Sequence, residues 1–290
     1  MSKISSAKNA GILQQCGQMT DEDWCDLIDR SAERKPTGGI ELPGFPSDEM
    51  QRQIVGSAGA QALIEARRFY SLIRRYASKL GLKFSPEVTS VLDFGVGWGR
   101  MIRYFLKDVV AENLHGVDVA PQMVEICKNT IPDGTFALIE PAPPVHFASN
   151  SFDIVYAYSV FSHLAEGIHM KWVEEIARIL KPGGILVATT QPRKFIEMCQ
   201  YWRANKPESL WHENLSKSFT DAEAAYRAYD RGQYLYSATG GGSLDASFYG
   251  EALIPRAYVE REWTRHLAFR DFVDSSDYLY QAVIVMQKAE

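Results

Sequence analysis

Between Val91 and Arg100 the chain reads Val-Leu-Asp-Phe-Gly-Val-Gly-Trp-Gly-Arg, with Gly95, Gly97 and Gly99 at every second position and Asp93 two residues before the first. Glycine has no Cβ and tolerates positive φ, so a turn of this kind lets a ligand lie against bare backbone. The apolar run that follows reads as a helix, and a helix start offers unpaired N–H groups to a polar ligand. Two nucleotide chemistries compete for such a turn. A dinucleotide site uses G-x-G-x-x-G with a later acid for the ribose. The spacing here is G-x-G-x-G, with an acid before it.

The flanking elements must hold this turn. Residues 1 to 48 predict at most two short helical stretches, joined by loop around Lys35-Pro36-Thr37-Gly38-Gly39 and Pro43-Gly44-Phe45-Pro46. A helix capped at Ser47 is expected to carry Ala62, Leu63, Ala66, Phe69, Tyr70, Ile73 and Tyr76 on one face, up to Gly81. It covers an edge of the core and could also close over a ligand. Val91 to Phe94 reads as a short buried strand, followed by a helix with Ile102, Phe105 and Val109 inward. Leu114 to Val119 is a second strand with Asp118 near its end, and Pro121 opens a helix with Met123, Ile126 and Cys127 inward. Thr135 to Ile139 is a third strand, stopped by Glu140-Pro-Ala-Pro-Pro144. Phe152 to Tyr158 is a near-continuously apolar fourth strand. A helix carrying Met170, Val173, Ala177 and Leu180 then stops at Lys181-Pro-Gly-Gly184, and Gly184 to Thr189 is a fifth strand.

This alternation predicts an α/β fold, a doubly wound and mostly parallel sheet with right-handed crossovers. Residues 193 to 250 hold no convincing strand, and Pro255 to Trp263 reads as a helix with proline at its first turn. The closing strands, Leu267 to Val273 and Tyr278 to Met286, are separated only by Asp274-Ser-Ser-Asp277. That is too short for a crossover helix, so they must pair antiparallel.

Composition narrows the function classes. Apolar residues are 46% and charged residues 23% of 290, near the usual globular mix, so one α/β domain with additions is expected. Formal net charge is −5, divided as +2 over residues 1 to 85, −5 over 86 to 190 and −2 over 191 to 290. Without a basic footprint, a nucleic-acid partner is disfavoured. Cys16, Cys25, Cys127 and Cys199 form no C-x-x-C pair and no metal spacing, so no metal is expected and a reduced, cytoplasmic protein is. No signal peptide or long apolar segment is visible, which argues against export and against a membrane partner. No pattern sets an oligomeric state.

The ensemble resembles the class I S-adenosylmethionine-dependent methyltransferases. Asp93-x-Gly95-x-Gly97-x-Gly99 is similar to that family's first motif and Gly116-Val-Asp118 to its second. Ser151-Phe-Asp-Ile-Val-Tyr-Ala-Tyr158 resembles its fourth-strand motif, and Leu180-Lys-Pro-Gly-Gly-Ile-Leu186 the run into the fifth. The resemblance covers residues 88 to 192 well, 251 to 290 by strand order, and the rest loosely. It implies a Rossmann-like methyltransferase fold with S-adenosylmethionine as cofactor. It divides the chain into a helical extension at 1–84, a cofactor-binding domain at 85–192 and 251–290, and a substrate-covering insertion at 193–250.

What the resemblance implies residue by residue follows the cofactor's chemistry. Asp118 accepts from both ribose hydroxyls, through charge-assisted bonds worth roughly 1.5 to 3 kcal/mol each. Gly95, Val96, Gly97 and Gly99 bring backbone to the methionine end, and Asp93 anchors the turn and the cofactor's amino group, directly or through water. Arg100 reaches the cofactor carboxylate or is a solvated first-turn arginine. Val119 and Tyr158 flank the cofactor, and Glu140 stands where the family often carries an acid near adenine, with Asn150 or Phe147 as other candidates for that wall.

Methyl transfer is an in-line displacement, so alignment of donor and acceptor carries much of the rate, up to roughly 7 to 11 kcal/mol. A base is needed only if the acceptor loses a proton. The best-placed candidate is His163, in Tyr158-Ser-Val-Phe-Ser-His-Leu164 just past the fourth strand. A histidine capping the following helix or touching the cofactor is the other reading. An N-P-P-Y run, which marks amide or adenine nitrogen acceptors, is absent here, where Ala157-Tyr-Ser-Val160 stands, and so is the Pro-Cys pair of cytosine-carbon methylation. Residues 193 to 250 hold eleven aromatics, a density above the 12% of the whole chain, which makes them either a helical core or a pocket wall. Tyr201, Trp202, Tyr236 and Tyr249 are the substrate candidates. Gly240-Gly-Gly242 and the loop to Tyr249 read as a lid, and Arg193 and Arg231 as anchors for a phosphate or carboxylate. The expected function is methylation of a small-molecule hydroxyl, on a sugar or other hydroxylated metabolite. A protein or RNA methyltransferase, a nicotinamide-dependent oxidoreductase and a non-catalytic cofactor sensor are the alternatives.

Overall fold

The computed structural model describes residues 6–132, 134–239, 245, 247–275 and 277–290. Gly240, Gly241 and Gly242, read above as part of a lid, lie outside them. The chain forms two compact units, Met1–Ile139 with Ser151–Tyr156, and Glu140–Asn150 with Ala157–Glu290.

The first unit starts with α1 (Ser6–Cys16), α2 (Asp21–Ala32), α3 (Asp48–Val55) and α4 (Ala60–Lys79). The single helix expected from Ser47 to Gly81 is therefore two. Ser47 does cap α3, its hydroxyl accepting from the Met50 N–H, but Gly56 and Gly59 take φ of 77° and 62° and end the first helix before the second begins. The apolar face of α4 is buried as read, from Ala62 to Tyr76. Then come β1 (Val91–Phe94), β2 (Leu114–Asp118), α5 (Pro121–Thr130), β3 (Thr135–Leu138) and β4 (Phe152–Ala157). Between β1 and β2 the expected α-helix is a 3-10 segment, Ile102–Lys107. Apolar residues at three-residue spacing suit both helix types, and Ile102, Phe105 and Val109 are buried in either case. On α5 the buried residues are Val124 and Cys127, while Met123 and Ile126 are half-buried.

The second unit holds α6 (Glu166–Ile179), β5 (Leu180–Thr190), α7 (Phe195–Ala204), α8 (Leu210–Lys217), α9 (Ala222–Asp230), β6 (Leu235–Ser237), β7 (Glu251–Leu253), α10 (Arg256–Glu262), β8 (Ala268–Val273) and β9 (Ala282–Gln287). β5 begins at Leu180, earlier than expected, because Gly183 N–H and Gly184 C=O bond to the Lys288 backbone and carry the pairing through the Pro-Gly-Gly run. The region read as strandless holds β6, which pairs antiparallel with β7. Three residues are too few to show alternation in sequence.

The strand order is β3-β2-β1-β4-β5-β9-β8, with β1 parallel to β2 and β4, and β9 antiparallel to both β5 and β8. This is the doubly wound sheet with a closing antiparallel pair. Its packing fixes one glycine of the sequence pattern. A Cβ on Gly116 of β2 would meet Phe136 Cδ1 at 2.7 Å and Val96 Cγ2 at 2.8 Å. Gly116→Ala is expected to destabilise the fold by about 1–3 kcal/mol through overpacking, read by urea denaturation; an unchanged midpoint would mean the site has slack.

Candidate functional site

In the first unit, the turn after β1 is built on β2. Gly95 N–H and Val96 N–H both donate to the Val117 carbonyl at 2.9 Å, and Gly99 N–H donates to Val96 C=O at 3.0 Å. All three glycines are left-handed, with φ of 82°, 52° and 80°. Their surroundings differ. A Cβ on Gly99 would run into Ile131 Cδ1 at 2.7 Å and Cys127 Sγ at 3.3 Å, so Gly99 serves packing of the turn. A Cβ on Gly97 would meet no heavy atom within 4 Å, so that side of the turn is open space. Cys127, through a thiol contact to Gly97 O at 3.1 Å, supports the turn from α5.

Asp118 closes the same turn. Its Oδ2 accepts from Gly97 N–H and its Oδ1 from Ala120 N–H, both at 2.9 Å. Burial pushes its carboxyl up and these backbone bonds hold it down. Val119 N–H is a third donor to it, and the carboxylate keeps capacity for a further one. Asp93 is 2% exposed, and its Oδ2 has no hydrogen bond. Burial raises its pKa well above the usual carboxylate range; the phenol of Tyr156, its cross-strand partner on β4, opposes that rise. A buried carboxylate oxygen without a donor is costly unless something positive completes it.

These three features fit S-adenosylmethionine: backbone open at Gly97, an orphaned acceptor at Asp93 suited to an ammonium, and spare acceptor capacity on Asp118 suited to a diol. Arg100 instead turns to α4, donating to Ala62 O at 3.2 Å and lying 3.7 Å from Glu65. Val119 is half-buried just past β2. Sequence reasoning missed Arg103, because arginine is normally outside. It is 1% exposed, donates to Gly99 O and Gly44 O, and lies 3.9 Å over the Phe45 ring, so it ties the loop before α3 to the glycine turn. Burial lowers its pKa to about 10. Filling the open side of the turn is a direct test. Gly97→Ala should cost about 1–2 kcal/mol of stability from φ alone and weaken cofactor binding beyond that, as compared by melting and by calorimetry. Full affinity would show that no ligand approaches Gly97.

The second unit holds the remaining candidates. Glu140 is exposed and Tyr158 is buried after β4. His163 is fixed by its backbone: Gly250 N–H donates to His163 O and Ala252 N–H to Ser162 O, both at 2.7 Å, and Ala165 N–H to Phe248 O at 2.9 Å. Its ring stacks on Tyr249 at 4.8 Å. The imidazole Nδ1 lies 2.8 Å from Gly250 O and 3.6 Å from Glu251 Oε2, and Nε2 lies 3.3 Å from Ser159 Oγ. Glu251 is 6% exposed and accepts from Gln191 Nε2 and Trp211 Nε1. Burial pushes its carboxyl up, against the opposing pull of His163 and these two donors. His169, by contrast, is fully buried among Phe161, Tyr234, Tyr258 and Trp263, accepts from Trp263 Nε1 and is pushed down to about 3 by burial. It is a neutral core histidine.

The structure thus brings His163 and Tyr249 together, with Tyr236 beside them: its hydroxyl stands 2.9 Å from where a Gly250 Cβ would be. It does not gather the other two aromatics there. Tyr201 is 57% exposed, and Trp202 stacks on His212 at 3.6 Å and packs against the insertion's core of Phe195, Ile196, Cys199 and Leu215. Much of the aromatic density of 193–250 is that core. Arg193 forms a two-pronged pair with Asp230, and Arg231 is exposed. Among the described residues no His, Cys, Asp and Glu group could hold a metal.

Comparison with known proteins agrees with this geometry. Residues 92–188 match a family described as a methyltransferase domain. The chain is 33% identical over 109 residues to a 2-methyl-6-phytyl-1,4-hydroquinone methyltransferase of Synechocystis, covering 37% of this chain and 33% of that one. It is therefore matched along about a third of that relative's length. It is 25% identical over 213 residues to a malonyl-[acyl-carrier protein] O-methyltransferase of Brevibacillus brevis, covering 64% of this chain and 75% of that one. A solved S-adenosylmethionine-dependent methyltransferase of Clostridium acetobutylicum shares the fold, with a TM-score of 0.52 at 10% identity, over 83% of this chain and 97% of that one. With its turn, its acids and its sheet order, the chain carries a methyltransferase domain over residues 92–188, for which S-adenosylmethionine is the cofactor, and shares its fold with a solved S-adenosylmethionine-dependent methyltransferase.

Proposed function

We propose that the chain methylates a hydroxyl oxygen of a small molecule, with sugars and sugar-containing metabolites ahead of aromatic ones, in the cytoplasm. The observation that carries the hydroxyl is His163, whose Nδ1 faces a carbonyl and whose Nε2 faces a hydroxyl. A neutral imidazole held this way is a base, and a base serves an acceptor that must lose a proton. The absence of an N-P-P-Y run supports the same reading, and the Brevibacillus brevis relative is named for transfer to an oxygen, though one of a malonyl group.

When bound, S-adenosylmethionine supplies an electrophilic methyl on a cationic sulfur. The chain's own part is binding, orientation and one proton. Asp93 and Asp118 hold the two polar ends of the ligand, and Gly97 leaves room for it against the backbone. His163 is the base that receives a proton at Nε2, and Tyr236 and Tyr249 flank it as substrate contacts. Residues 193–250 serve as the acceptor-side insertion. No helix among the described residues is long and apolar enough to cross a membrane.

Labelled-methyl transfer to fractionated metabolites tests this. The expected product is a small molecule whose label survives mild base, as a methyl ether does. Label released by base would indicate a carboxyl acceptor, and label confined to protein or RNA would overturn the small-molecule reading.

A further inference from the structure

The hydrogen bonds around His163 have a direction. The Gly250 carbonyl 2.8 Å from Nδ1 can only accept, so Nδ1 carries a ring proton, and in the neutral imidazole Nε2 holds the lone pair. Nε2 can then only accept, so Ser159, at 3.3 Å, donates its hydroxyl proton to it. Ser159 Oγ in turn accepts from Gln281 Nε2 at 3.0 Å. On its other side, Gln281 Oε1 accepts from the Thr189 hydroxyl. Thr189 Oγ1 closes the ring by accepting from the Ser159 N–H at 2.7 Å. Ser162 Oγ also faces Ser159, at 3.5 Å.

Two further observations mark Ser159. Its φ is 59°, in the left-handed region that a residue with a Cβ rarely occupies, and such strain gathers at functional positions. The proton it points at His163 would create an imidazolium facing the buried Glu251 carboxylate at 3.6 Å. A hydroxyl aimed at a base, with a counter-ion behind the base, is the arrangement of a proton-transfer chain.

We propose that Ser159 is a catalytic proton relay for the hydroxyl acceptor: its Oγ takes the acceptor's proton as its own proton passes to His163 Nε2. Gln281 and Thr189 are positioning residues that aim the Ser159 hydroxyl, and Glu251 faces the charge formed on His163. The step balances. The acceptor's O–H bond breaks, its oxygen pair forms the bond to the methyl carbon, and the methyl–sulfur pair returns to sulfur. Ser159 loses one proton and gains one, and the positive charge that left sulfur rests on His163. This inference depends on the hydroxyl-methylation reading above.

The test uses the full chain. Nitrogen-15 NMR, with His163 assigned by difference from His163→Gln, is expected to show the Nδ1–H tautomer; an Nε2–H tautomer overturns the relay, because Ser159 would then have nowhere to send its proton. Ser159→Gly removes the hydroxyl while suiting φ of 59°, so it should fold at least as well. It is expected to lower turnover about a hundredfold or more with S-adenosylmethionine affinity unchanged by calorimetry. Wild-type turnover in Ser159→Gly overturns the relay. The two readings separate on His163→Ala: if that variant loses turnover and Ser159→Gly does not, His163 is a base without a relay, whereas full turnover in His163→Ala removes the base itself.

Discussion

Asp118→Ala is expected to weaken S-adenosylmethionine binding at least about tenfold, the value of one charge-assisted hydrogen bond. The carboxylate does two things at once. Its oxygens hold backbone N–H groups of the turn, Gly97 and Ala120 at 2.9 Å and Val119 beside them, and the acceptor capacity left over is what the proposed ligand would use. On the proposed role, truncation removes a ligand contact and also leaves the backbone donors of the turn without their acceptor. Asp118→Asn separates these contributions, since its amide oxygen can still serve one backbone N–H while the charge is gone. Calorimetry on both variants should show Asn between wild type and Ala. Unchanged affinity in Asp118→Ala would remove this residue from the ligand site.

His163→Ala should lower turnover by about 10²–10⁴-fold, the range of general-base catalysis, while cofactor affinity stays at the wild-type value. The separation follows from the chain's organisation: the turn and its acids belong to Met1–Ile139, and His163 with its partners to Ala157–Glu290. Truncation also removes the imidazole that lies 3.6 Å from Glu251, a side chain 6% exposed, so some loss of stability is expected and should be measured alongside. His163→Gln, which keeps a polar side chain near Glu251, should recover stability more than turnover. A loss confined to cofactor affinity would make His163 a binding residue.

Local signals carried far in this chain. The glycine turn was legible because three glycines at positive φ follow a run buried on both faces. The closing pair of strands was legible because four residues cannot hold a crossover, and β8 and β9 do pair antiparallel. What escaped was either too short or too distant. β6 is three residues long, and the interruption between α3 and α4 rests on the φ of Gly56 and Gly59, which apolar spacing does not report. His163 was picked out as a base from its place after β4, but the residues that orient it were not. Ser159 and Gln281 are 122 positions apart, and neither side chain carries a charge to draw notice. Arg103 was missed for the opposite reason, since its charge argued for the surface. Aromatic density alone does not distinguish a pocket wall from a helical core, and Trp202 packs against the core.

Titration calorimetry on the full chain tests most directly whether the turn from Val91 to Arg100 takes S-adenosylmethionine. Binding of S-adenosylmethionine, weakened by Asp118→Ala and absent for NADH, is the result this account predicts. Binding of NADH with no response to S-adenosylmethionine would contradict it.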